Sequence, residues 1–156
     1  MQIFPPTVIL RHQRENLKKC SLRGLENRPD FQFYTYPKDL LNQILPDLTG
    51  YILLTVDGTP LEESDKNRGI FLLDGTWALA DQMGKQVLKS TKGLVFRALP
   101  QKYKTAYPRY QTKCSLPDQG LASVEALYAI YRELGRDCTG LLDNYYWKNT
   151  FLTTNY

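Results

Sequence analysis

The chain has little cysteine. Its three, Cys20, Cys114 and Cys138, are odd in number, widely spaced and without a C-x-x-C pair. That pattern supports neither a disulfide framework nor a zinc site, so no metal is expected and a reducing, cytoplasmic setting fits best. His12 is the single histidine. No serine, cysteine or metal constellation accompanies it at a recognisable spacing, so it makes a poor catalytic candidate. Long apolar runs are missing as well, which predicts no membrane partner. Met1 to Leu10 carries two prolines and no signal-like apolar core. There is no internal repeat and no low-complexity tract. The charge excess is only +4. Such a mild basic bias permits a nucleic-acid partner without demanding one.

What is present reads as one domain over 1–156, with 42% hydrophobic and 23% charged residues. The centre of the pattern is Gly69 to Trp77. Ile70 to Leu73 is a short continuous apolar run that stops at Asp74-Gly75, and helical spacing begins at Ala78. This predicts a strand buried on both faces that delivers Asp74 and Trp77 to its carboxyl end, where open α/β sheets bind ligands. Alternatively, Asp74 caps the next helix and Trp77 packs the core.

Further strands are predicted at Thr7–Leu10, Phe31–Tyr36, Tyr51–Val56 (ended by Asp57-Gly58) and Leu94–Leu99. Helical spacing is read over Lys38–Leu45, Thr76–Lys89, Leu121–Leu134 and Thr139–Trp147, with Phe151-Leu152 in a short tail. Glu125 falls in the first turn of its helix, where a negative charge suits the dipole. Strands alternating with helices indicate an α/β domain with a mainly parallel sheet. Arg11 to Lys19 is dense in charge: a solvated face, or a loop presenting cations and Ser21. Gln101 to Gly120 interleaves tyrosines with cations. It is either a surface for single-stranded nucleic acid or a solvated loop whose tyrosines fold back.

Ordered motifs add to this. Lys18-Lys19-Cys20-Ser21 with Leu25, Leu73-Asp74-Gly75-Thr76-Trp77, Arg97-x-Leu99-Pro100, Pro108-x-Tyr110, Leu121-Ala122-Ser123-Val124-Glu125-Ala126, and the ending Trp147-Lys148-Asn149-Thr150-Phe151-Leu152 then Asn155 stand in sequence. Together they resemble the ribosomal RNA aminocarboxypropyltransferases and the DTW-domain tRNA-uridine aminocarboxypropyltransferases, over roughly Leu10 to Asn155. Asp74-Gly75-Thr76-Trp77 is closer to the DTW type and the ending to the ribosomal type. Two features depart from these families. The N-terminal cysteine cluster of many DTW enzymes is missing, and Arg109-Tyr110-Gln111 stands where the ribosomal type has an Asn-x-Tyr-Gly-like segment.

The resemblance implies a SPOUT-like α/β fold with a C-terminal trefoil knot and S-adenosylmethionine as cofactor. The 3-amino-3-carboxypropyl group would pass to a uridine or pseudouridine of structured RNA, tRNA or rRNA. It also implies that Ser21 lies by the ribose and that main chain near Leu99 and Tyr110 holds the adenine. Asp74, Trp77 and main chain at Leu121, Ala122 and Ser123 would surround the methionine end, with Asp74 as ammonium anchor or as base. Arg11, Arg14, Lys18, Lys19, Lys102, Lys104 and Arg109 are expected to contact phosphate. A monomer is expected. The competing readings are an S-adenosylmethionine-dependent RNA methyltransferase, a non-catalytic RNA-binding or ribosome-assembly module, and an unrelated small α/β domain.

Overall fold

In the computed structural model, residues 3–18, 20–106 and 120–156 are described. Five strands form one parallel sheet: β1 (Thr7–His12), β2 (Phe31–Tyr36), β3 (Ile52–Pro60), β4 (Ile70–Asp74) and β5 (Val95–Ala98), in the order β2-β1-β4-β3-β5. The helices are α1 (Lys38–Leu41), α2 (Trp77–Ser90), α3 (Ser123–Glu133) and α4 (Lys148–Asn155). Strand alternation sorts the apolar side chains onto two faces. Ile9, Ile52, Ile70 and Leu72 meet Val124, Leu127 and Ile130 of α3, together with Leu141, Leu142 and Phe151. Val8, Leu10, Leu53 and Phe71 point the other way, toward Met83 and Val87 of α2. Each such side chain, fully buried, contributes on the order of 1.5–3 kcal/mol. Both faces of β1 and β4 are covered, which is why these strands read as continuous apolar runs.

Four elements differ from the sequence expectation. β1 runs on to His12, two residues into the charged stretch, because its register with β2 continues to His12↔Tyr36. The helix expected to Leu45 ends at Leu41, and Gln43 takes a left-handed φ of 56° that cannot continue a helix. β3 resumes beyond Asp57-Gly58 and runs to Pro60, but its ladder with β5 breaks across that dipeptide: Leu54 and Thr59 both pair with Arg97. A Cβ on Gly58 would lie 2.7 Å from the main chain of Arg97, so only glycine allows β5 this close. Thr139–Trp147 is a string of turns, with i→i+3 bonds to the carbonyls of Cys138, Gly140, Leu142 and Tyr145. Gly140 at φ 82° interrupts any helix there, and the helix forms instead in the expected tail as α4. Among the described residues, no helix is long and apolar enough to cross a membrane.

Candidate functional site

The strand order locates a crevice. The chain leaves β1 for β2 on one side and leaves β4 for β5 on the other. β1 and β4 are neighbours, so their outgoing connections diverge, and the carboxyl ends at such a switch point are the usual ligand position in open α/β sheets. The register pairs Arg11 with Asp74 at that edge. Asp74 has the parity of Leu72 and therefore faces α3.

Asp74 is buried, at 2% exposure, and both carboxylate oxygens accept hydrogen bonds. Ser123 Oγ donates to Oδ1 at 2.8 Å. Arg11 Nε and Cys20 Sγ donate to Oδ2, each at 3.1 Å. Arg11 also reaches Glu26 Oε2 at 3.0 Å, and its guanidinium lies 4.7 Å from the centre of the Phe33 ring. Burial, and then the charge of Asp74, push the Cys20 thiol up to about 12, so it stays protonated and remains a donor near neutral pH. Glu15 is likewise raised, first by burial and then by Asp74. Burial also opposes charge on Glu26, but hydrogen bonds from main-chain amides and Arg11 outweigh it and hold that carboxyl low. Glu15, Cys20 and Asp74 bring donor atoms within 4.8 Å of one another. The protonated thiol donates to Asp74, and Glu15 lies beside this pair and the Arg11 guanidinium. Three carboxyl side chains around one arginine make a crevice that suits positive charge.

The first turn of α3 closes the crevice. Ala122 occupies the N-cap and has no side-chain oxygen to offer. Ser21, from the loop after β1, supplies it: the Val124 N–H donates to Ser21 Oγ at 3.2 Å. Glu125 reaches back to the Ala122 N–H at 2.7 Å. Ser21, Asp74, Ala122 and Ser123 are thus gathered at one place. Leu99 and Leu121 pack at the edge of the same core. Leu99 also lines a recess of about 370 Å³ with Leu61, Ala98, Pro100 and Glu133, past the carboxyl end of β5. Trp77 begins α2, and the placement of its side chain is outside the description. Tyr110, Arg109 and Lys19 lie outside the described residues, as does the whole stretch 107–119.

Among the expected phosphate contacts, Arg14, Lys18, Lys102 and Lys104 are exposed. Lys102 sits 3.5 Å from Glu133. Arg11 differs from the expectation. It is buried, and Asp74, Glu26 and the Phe33 ring occupy its guanidinium, so it is an internal partner of Asp74 and not a surface cation. Sequence reasoning missed the roles of Cys20 and Glu26 and the reach of Glu125. Cys20 and Glu125 stood inside the quoted motifs, but nothing in their spacing named their partners.

No family model and no curated protein matches the chain. Among solved structures it is similar to the SAM-dependent rRNA:acp-transferase Tsr3 from Vulcanisaeta distributa. The identity is 22%, covering 97% of this chain and 79% of that one, with a TM-score of 0.70. At that identity the likeness is one of fold: the chain shares that structure's α/β architecture, here a five-stranded parallel sheet with flanking helices.

Proposed function

We propose that the crevice binds S-adenosylmethionine and that the protein transfers its 3-amino-3-carboxypropyl group to a uridine-type base of structured RNA. The observation that carries this is the convergence of Asp74, Ser123 and Ser21 at the switch point of a fold shared with an rRNA:acp-transferase. That relative's substrate favours rRNA over tRNA. The residues fit the cofactor's chemistry. A buried carboxylate among further carboxyl groups suits a ligand with ammonium and sulfonium charges, and the recess at Leu99 and Leu61 offers an apolar wall for a purine. When bound, S-adenosylmethionine supplies an electrophilic carbon on a sulfonium that leaves as a neutral thioether.

This chain's own contribution is orientation. Asp74 acts as an electrostatic anchor for the amino-acid end. Ser123 and Arg11 fix its two oxygens from different elements, and a carboxylate so held suits anchoring better than proton abstraction. Main chain at Leu121, Ala122 and Ser123 positions the same end, and Ser21 faces the ribose. Arg14, Lys18, Lys102 and Lys104, with Lys19 and Arg109, serve phosphate contact. Calorimetric titration with S-adenosylmethionine tests the pocket. Wild type binds, and Asp74→Asn weakens binding about tenfold or more, the size of a lost charge-assisted interaction. No binding by wild type at about 1 mM cofactor, far weaker than a dedicated site, would overturn the proposal. Product mass then separates aminocarboxypropyl from methyl transfer.

A further inference from the structure

Glu125 is fully buried, and the four donors that the described residues offer it are all neutral. A buried carboxylate is costly unless hydrogen bonds replace its water. Here they come from three separate segments. Oε1 accepts from Thr105 Oγ at 2.6 Å and from the Ala122 N–H at 2.7 Å. Oε2 accepts from the Ala106 N–H at 2.7 Å and from Tyr145 Oη at 3.0 Å. Each oxygen therefore takes one main-chain amide and one hydroxyl. The two amides, Ala106 and Ala122, stand on either side of residues 107–121, within the connection from β5 to α3. One side chain ties the base of that segment shut, directly beside the Ser123–Asp74 contact.

A second clasp holds the same base from the other side. Asn155 Oδ1 accepts from the Lys104 N–H at 2.7 Å, and its Nδ2 donates to the Lys104 carbonyl at 2.8 Å. Closing a long segment costs chain entropy, and bonds at its base offset that cost before any ligand arrives.

We infer that Glu125 is a positioning residue for the cofactor. It fixes the main chain at Ala106 and Ala122 so that the wall next to Asp74 is formed in advance. This rests on the reading that the crevice takes S-adenosylmethionine. The chemistry of Glu125→Gln is specific. A glutamine keeps the shape but turns one acceptor into an NH₂ donor. A hydroxyl can rotate to meet it, whereas a main-chain N–H cannot. Whichever way the amide points, one end of the segment stays clamped and the other is released.

The test combines amide exchange by NMR with calorimetric S-adenosylmethionine titration, for wild type, Glu125→Gln and Leu127→Ala. Leu127 lies in the core face of the same helix and contributes no hydrogen bond to Glu125. In Glu125→Gln, exchange is expected to accelerate at Ala106 or Ala122 well beyond other amides, and cofactor affinity to fall about tenfold. Leu127→Ala should lower stability and leave affinity within about twofold at temperatures where it is folded, since it removes no donor or acceptor of the clamp. Unchanged affinity in Glu125→Gln, or an equal loss in Leu127→Ala, would overturn the inference alone. No binding by wild type would overturn it together with the proposed function.

Discussion

Asp65 and Asp74 are both buried aspartates in the same sheet protein, and they are held in different ways. Asp65, in the turn between β3 and β4, accepts from Arg97 Nε at 2.8 Å, Arg68 Nε at 3.0 Å and the Glu62 N–H at 2.8 Å. Two arginines from separate segments close on it. Burial pushes its carboxyl up, but the hydrogen bonds from Arg97, the Glu62 amide and Arg68 outweigh that and hold it below the usual carboxylate range. Asp74 has one arginine, which it shares with Glu26, plus a hydroxyl and a thiol. It sits at the strand end where the sheet's connections part. Two cations on one carboxylate make a lock. One shared cation at a crevice leaves negative potential to spare, which is what a cationic ligand requires.

The largest expected effect is on the lock. Asp65→Ala takes a shared buried carboxylate from two arginines, leaving Arg97 with Thr59, the Phe96 carbonyl and Glu62, and Arg68 with the Gly50 carbonyl. It should cost about 3 kcal/mol of stability, read by urea unfolding, because several charge-assisted hydrogen bonds are lost together. A loss no larger than a surface mutant's would erase the contrast. Asp74→Asn should cost less, about 1–2 kcal/mol, since Arg11 keeps Glu26. Its main effect should be the loss of cofactor affinity described above.

Acid sharpens the distinction. A carboxyl whose folded pKa is depressed contributes stability above its unfolded value and loses it as pH falls through the folded value. Unfolding free energy should therefore drop below about pH 4 in wild type, and this part of the drop should be missing in Asp65→Asn. An identical acid limb in both would remove Asp65 as its source. The smallest effect is expected at Cys20. Its thiol should react slowly with iodoacetamide at pH 8 in the folded protein and rapidly once unfolded. Cys20→Ser should change stability by less than about 1 kcal/mol, because a hydroxyl can also donate to Asp74.

Much of the sheet was legible in the sequence. Phe31–Tyr36 and the strand ending at Asp74 stand where the apolar runs put them, because period and turn chemistry are local signals. Asp74 at a carboxyl end, and the start of α3 beside it, followed from the same signals and from the family motifs. The partners were not legible. Arg11 looked like one cation in a charged run, and nothing local says that the sheet register aligns it with Asp74. Glu125 fitted a helix-dipole role so well that its longer reach, to Thr105, Ala106 and Tyr145, stayed hidden. Over Thr139–Trp147 helical spacing was present, but Gly140 and the docking of Leu141, Leu142 and Tyr145 into the core favoured turns.

The cap that Ser21 places on α3 spans 103 positions of sequence. It bears on the order in which the molecule assembles. A helix beginning at Ala122 can form early from its own apolar spacing, but its first turn waits for a hydroxyl that arrives only when the loop after β1 docks. Parallel strands in the order β2-β1-β4-β3-β5 impose the same delay, since each pairing closes a long loop. The crevice is therefore a late product of folding. Far-UV helical signal should recover during refolding before the ability to bind ligand, and the first half of the chain expressed without the second should hold no site at all.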